Sequence, residues 1–214
     1  MAATKPTSRS TASSRRSASV RGQRSDGVKK ELLVEQAARL FDSNGYNTTS
    51  VEEIAEAAGI RKPTLYHYFR SKDEILFALH EEFIDLLLER QVARAETSLA
   101  PSYVLLEIMA DVLELMETHR GYVRVFFEHH RELPPAARRT ISGKRDRYEE
   151  MVEQVIQDAI DQGEFRPVDT KLATFALFGM CNWAYQWYQS NGPLRSREIA
   201  YFFWEILLNG IAVR

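Results

Sequence analysis

The chain has 214 residues, 44% hydrophobic and 27% charged, with a formal net charge of −2. That length accommodates a small domain and a larger one. The single cysteine excludes an intrachain disulfide framework and suits a reducing cytoplasm, and no apolar run reaches the ~18–20 residues that span a bilayer.

Charge is unevenly placed. Residues 1–75 hold 13 Lys and Arg against 9 Asp and Glu, and residues 76–214 hold 15 against 21. A basic N-terminal part suits a nucleic-acid phosphate backbone. Residues 1–25 are rich in Ser, Thr, Ala and Arg, with six basic residues and no acidic ones. They lack the apolar core of a secretory signal and are expected to form a disordered arm, either solvated or following DNA phosphates. Residues 28–43 then place Leu32, Leu33, Ala37, Leu40 and Phe41 at helical spacing and stop at Asn44-Gly45.

Residues 50–72 carry the densest signals. Ser50 and Glu53 form a capping box before the small apolar face of Ile54, Ala55 and Ala58. Gly59 supplies a left-handed turn. A second helix opens at Lys62-Pro63, where proline is tolerated, with Thr64, Tyr66 and His67 outward and Leu65, Tyr68 and Phe69 partly inward. Ser71 and Glu74 make a second capping box. Together these are a helix-turn-helix, whose second helix enters the DNA major groove.

The rest is helical by period, and the fold class is all-α with about nine helices. Residues 72–97 form a helix of roughly 39 Å, at ~1.5 Å per residue, long enough to join two domains. Residues 102–118 are amphipathic around Leu105, Met109, Leu113 and Met116, and residues 122–132 make a short helix broken by Pro134-Pro135. Residues 136–162 carry a stripe through Tyr148, Met151, Val152 and Val155 and close at Gly163. Residues 169–189 and 197–212 are apolar nearly all round, so each must bury a second face, most simply against a second copy of the chain. Phe178, Tyr185, Tyr201, Phe203, Trp204 and Leu208 are the candidate dimer contacts. Cys181 is expected to be a buried small hydrophobe.

Phe41, Gly45-Tyr46, Thr49-Ser50-Val51, Ile54-Ala55, Ala58-Gly59-Ile60, Leu65-Tyr66, Tyr68-Phe69 and Lys72, at their spacing, resemble the DNA-binding domain of the TetR family of bacterial transcriptional repressors. Pro63 stands where that family usually has a small residue. Residues 126–133, 144–149, 163–169 and 179–194 are similar to the branch that senses acyl-coenzyme A thioesters of fatty-acid and sterol breakdown. The Gln189-Ser190-Asn191 run departs from it, lacking a basic residue. The resemblance implies an arm at 1–25, a helix-turn-helix domain at 26–72 and a ligand-binding and dimerisation domain at 73–214. It further implies a homodimer on a palindromic operator, released by a hydrophobic effector.

On that view Thr49, Lys62, Tyr66 and Lys72, with Ser50 beside them, face phosphates, and Arg61, Pro63, Thr64 and His67 face bases. Met109, Leu113, Met116, Phe127 and Met151 line an acyl tunnel. Asn182 and Trp183 offer donors, with Trp187 on the same helix face. His130 and Tyr148 come from the matching stretches, and Arg124, Arg131, Arg145 and Arg147 are the cations for coenzyme A phosphates. A regulator sensing a drug or another aromatic molecule, and an activator, are the alternatives. No phosphate-cradling glycine loop, nucleophile elbow or paired catalytic acid marks an enzyme. His129 and His130 diverge by ~100° on a helix, so neither a metal nor a cofactor is expected.

Overall fold

The computed structural model describes residues 11–212, with side chains over 27–212. Among the described residues there are nine α-helices: α1 (Thr11–Asn44), α2 (Val51–Ala57), α3 (Lys62–Tyr68), α4 (Lys72–Ala95), α5 (Pro101–Thr118), α6 (Arg120–Glu128), α7 (Pro135–Asp161), α8 (Thr170–Trp183) and α9 (Ser196–Ile211). The all-α expectation holds, and the one β feature among them is an isolated bridge between Phe165 and Ala212. The first helix is longer than its apolar stripe. It begins at Thr11, so residues 11–25, expected to be a disordered arm, have helical backbone, while residues 1–10 of that arm lie outside the described residues. No proline interrupts 11–44, and lengthening an existing helix needs no new nucleus.

Local chemistry sets the N-terminal unit. The Ser50 hydroxyl accepts from the Glu53 N–H, and the Glu53 carboxylate accepts from the Ser50 N–H, closing the expected capping box. Gly45 and Gly59 have φ of 83° and 67°, the left-handed region in which glycine has no Cβ penalty. The Ile60 N–H returns to the Ala55 carbonyl at 2.9 Å and ends α2. At α4 the Ser71 hydroxyl accepts from Glu74 N–H, but the Glu74 carboxylate reaches Arg70 N–H instead of completing the second box.

The larger body wraps α4. Its buried face runs through Ile75, Leu76, Leu79, Phe83, Ile84, Leu87 and Leu88. α6 and α7 pack along it, α5 lies against α7 and α9, and α8 packs on α7. Asp111 on α5, nearly buried, accepts from Arg90 at 2.8 Å and Arg94 at 2.7 Å on α4. Lys144 on α7 reaches Glu81 and Asp85 of α4, both at 2.7 Å. α6 also meets α1 without a spacer: a Cβ on Gly121 would lie 2.9 Å from the Ala38 carbonyl oxygen. Cys181 is buried as expected, and burial pushes its thiol up to about 12.

His80 lies fully buried in α4, its Nδ1 2.9 Å from the Leu76 carbonyl and its Nε2 without a partner. Burial, reinforced by the nearby His130, His129 and Arg145, brings it down to about 4. The unfolded chain therefore takes up this proton first. The stabilisation linked to neutral His80 is complete above pH ~6.5 and is lost as pH falls toward 4, on the order of 3 kcal/mol in all. Urea midpoints across that window are expected to fall steeply for the wild type. His80→Asn, which keeps a donor for Leu76, should flatten the slope; an unchanged slope would remove His80 as its source.

Candidate DNA interface and effector cavity

The recognition helix α3 shows one clean face. Arg61, Lys62, Pro63, Thr64, Tyr66 and His67 are exposed, while Leu65 and Phe69 are buried and Tyr68 is intermediate. Lys62 is paired with Glu52 of α2 and lies 5.8 Å from the centre of the Tyr66 ring. The Glu52 contact raises the Lys62 pKa and lowers that of Glu52. A phosphate brought to Lys62 would have to compete with Glu52 for this cation. Ser50 serves mainly as the α2 cap.

Two residues expected to touch phosphates have other duties. Thr49 is 1% exposed, and its hydroxyl donates to the Gly45 carbonyl at 2.9 Å and the Leu40 carbonyl at 3.3 Å. The Lys72 ammonium donates to the carbonyls of Tyr46 at 2.7 Å and Thr49 at 2.8 Å, and sits 4.4 Å from the Tyr46 ring centre. The Tyr46 hydroxyl donates to Asp73. Together these bonds fix the loop between α1 and α2, with Lys72 supplying the donor for the Tyr46 and Thr49 carbonyls. Thr49 and Lys72 hold the reading head in place and have little capacity left for DNA.

The body holds a partly open cavity of about 70 Å³. Phe83, Ile84 and Leu87 of α4 form one wall and Phe126 and Phe127 of α6 another; Val112, Phe178 and Asn182 close it, and Arg145, Tyr148 and Glu149 of α7 complete it. Arg145 borders the cavity, 5.4 Å from the Phe126 ring centre, with no ion pair among the described residues. Surrounding protein lowers its pKa, opposed by the Asp146 and Glu149 carboxylates. Glu149 pairs outward with Lys171 at 3.6 Å. One helical turn along, a second cavity of about 100 Å³ is lined by Met116, Arg120, Val123, Arg124, Tyr185, Gln186 and Tyr188. Phe127 and Tyr185, stacked with centroids 5.3 Å apart, stand between the two.

The expected effector residues therefore divide. Phe127, Tyr148 and Asn182 line the first cavity and Met116 the second. Met109 and Leu113 are fully buried core, Met151 packs against that core, and His130 lies beside His80 with ring centroids 6.2 Å apart. Trp183 and Trp187 are 64% and 45% exposed and line neither cavity. Their shared helix face is lost because α8 ends at Trp183 and passes into a 3-10 turn at Ala184–Gln186. Of the four candidate cations, Arg145 borders the first cavity, Arg124 pairs with Glu128 and Asp42 at the second, Arg147 borders a separate groove, and Arg131 is exposed and lines neither cavity. The cavity residues of α4, which sequence alone does not single out, belong to its evident apolar stripe.

The dimer candidates also divide. Trp204 is buried, its indole N–H donating to the Ser102 carbonyl at 2.6 Å. Phe178 lines the first cavity and Tyr185 the second. Phe203 packs at 6.4 Å from Trp187, and Leu208 is partly buried against the core. Tyr201 is exposed, and with it Phe202 and Ile206 of α9 and Leu172 and Phe175 of α8. α9 turns Ile199, Trp204, Leu207 and Ile211 inward, so its second apolar face is carried by Phe202 and Ile206. Large exposed apolar patches mark interaction surfaces.

A three-helix reading head joined by one long helix to a helical body with internal cavities defines a helix-turn-helix transcriptional regulator. The chain belongs to the TetR family: residues 33–79 match the model for bacterial regulatory proteins of the tetR family, and residues 99–211 match the tetracyclin repressor-like C-terminal domain. It is 29% identical over 182 residues to the HTH-type transcriptional repressor KstR2 of Mycobacterium tuberculosis, covering 84% of this chain and 90% of that protein. The solved structure of the regulator PfmR from Thermus thermophilus has 32% identity and a TM-score of 0.78, over 83% of this chain and 97% of that one. AibR, solved in complex with isovaleryl coenzyme A and operator DNA, has 30% identity and a TM-score of 0.76, over 84% and 98%. Among the described residues no helix is long and apolar enough to cross a membrane, and no three His, Cys, Asp or Glu side chains gather to hold a metal.

Two pairs of substitutions test the surfaces. Lys62→Ala is expected to weaken all DNA sequences alike and lower the salt slope by roughly 1, whereas His67→Ala should relax sequence preference; fluorescence anisotropy over a salt series separates them. Phe202→Glu should yield a folded monomer in sedimentation, while Trp204→Ala, a buried ring lost, should cost about 3–5 kcal/mol of stability. A Phe202→Glu protein that still sediments as a dimer would place the interface elsewhere.

Proposed function

We propose that this protein is a homodimeric repressor that holds a palindromic operator until an acyl-coenzyme A thioester binds its C-terminal body. The observation that carries this is the apolar cavity walled by α4, the same helix that begins shortly after the recognition helix ends. Its aromatic and aliphatic walls suit an acyl group, and Arg145 and Asn182 offer donors for carbonyl oxygens of the thioester and pantetheine arm. KstR2 carries the name of a repressor and AibR was solved with isovaleryl coenzyme A and operator DNA, and both likenesses support the reading. The exposed Phe202, Ile206, Leu172 and Phe175 face supplies the dimer contact, and Arg61, Lys62, Pro63, Thr64, Tyr66 and His67 the DNA contact.

The size of the cavity supplies the switch. At about 70 Å³ it is smaller than the ~150 Å³ engineered cavity that admits benzene. An acyl group therefore binds a conformation in which the walls have separated, and that difference in affinity is what shifts the population. Release of DNA from the upstream region of the gene is the test. Acyl thioesters are expected to weaken the complex tenfold or more, with free coenzyme A and the free acids much weaker, because only the joined molecule engages both cavity and mouth. A panel of short, medium and long thioesters that leaves the complex intact would overturn the proposal.

A further inference from the structure

The Tyr148 hydroxyl has no hydrogen-bond partner although the residue is only 4% exposed and lines the first cavity. Buried hydroxyls are normally satisfied, and an orphan calls for a reason. Two other part-buried tyrosine hydroxyls in this molecule show the usual solution: Tyr46 donates to Asp73 and Tyr188 to Glu117. Tyr148 has no such carboxylate. Asp111, the acid whose charge acts most on it, has one oxygen taken by Arg90 and the other by Arg94. The Tyr148 ring is well placed for packing, 5.7 Å from Phe178, and phenylalanine would fill the same space without the polar atom. Burial drives the phenol far above its usual range, so it is a neutral donor at any physiological pH.

Around it the cavity is otherwise apolar on the α4, α5 and α6 sides. An alkyl chain entering there would displace any water and leave the hydroxyl unpaired, which penalises that ligand. A ligand oxygen at the same depth would pair with it. The Asn182 amide lines the same cavity from α8 and makes no hydrogen bond to another described side chain, so it supplies a second polar group from a different helix. The walls must part to admit any acyl group, and each further carbon asks for more separation of a close-packed body, which favours a group of a few carbons or one ring.

We propose that Tyr148 is the specificity-determining residue of the cavity, and that the effector's acyl group is compact and carries its own hydrogen-bond acceptor, an oxo or hydroxyl oxygen beyond the thioester. This rests on the thioester reading above. It goes further by separating oxygenated acyl groups from saturated ones of equal length.

The test compares matched thioesters of four, six and eight carbons: saturated, 3-hydroxy and 3-oxo. Affinity for the DNA-free protein is measured by calorimetry, and half-release of the operator complex by anisotropy. In the wild type the oxygenated member of the best-fitting length is expected to bind about tenfold tighter than its saturated partner, the discrimination that one hydrogen bond supplies. In Tyr148→Phe that ratio should fall to near one, and the ligand-free variant should melt at or above the wild-type temperature, because an unsatisfied hydroxyl has been removed. If saturated and oxygenated thioesters release the operator equally well, the specificity proposal fails while the effector class stands. If Tyr148→Phe weakens both members equally, the hydroxyl addresses the thioester carbonyl common to both, and the proposal is overturned. A ligand-free Tyr148→Phe protein that melts several degrees lower would show the hydroxyl to be satisfied by the fold, which overturns it as well. If no thioester binds at all, the effector class itself falls.

Discussion

One continuous face of α4, from Ile75 to Leu88, has to be buried by two different sets of neighbours. Its first turns close the core of the reading head against α1, and its middle turns form a wall of the first cavity. Apolar burial of this kind contributes roughly 25 cal/mol per Å², so α4 cannot shift at one end without exposing or repacking surface at the other. The ion pairs sharpen the constraint. Asp111 joins α4 to α5 through two arginines in a nearly buried setting, and removing one partner of such a set typically costs about 3–5 kcal/mol. These contacts add little net stability but fix the register of α4 along the body. A ligand that parts the cavity walls therefore acts on a rod already tied at several points.

The N-terminal unit is largely legible from sequence because its signals are local. The Ser50–Glu53 box, the glycine turn and the alternation of outward and inward residues on α3 each depend on neighbours within four positions. Thr49 and Lys72 depart from expectation for a complementary reason. Polar residues beside a recognition helix look like phosphate ligands, but their partners are backbone carbonyls, and sequence does not show which carbonyls lack a donor. Tyr46 and Lys72 are 26 positions apart, and nothing in the local pattern joins them.

The body is legible as helices and less so as surfaces. Periodicity gives each apolar stripe but not its rotation toward a neighbour. On α9 the largest aromatic, Trp204, reads as a dimer contact, yet its indole has a buried acceptor at Ser102 and the smaller Ile206 is exposed with Phe202. On α8 the tryptophans look like one face of one helix, and the 3-10 turn at Ala184–Gln186 separates them. Tyr148 and Asn182 are visible through family-like stretches, and Arg145 through its charge; Phe83 and Leu87 carry no such mark, because wall and core residues have the same chemistry.

The missing side chain at Gly121 has a mechanical meaning. Where most helix pairs meet through side chains that can change rotamer, α6 meets α1 at this point with backbone close to backbone, a Cβ there having only 2.9 Å to the Ala38 oxygen. Rotamer changes absorb displacement, and a backbone contact has none to offer. A tilt of α6 started at Phe126 and Phe127 would thus reach α1 undamped, less than two helical turns away, and the reading head would be levered by a hinge stiff in compression and loose only in separation.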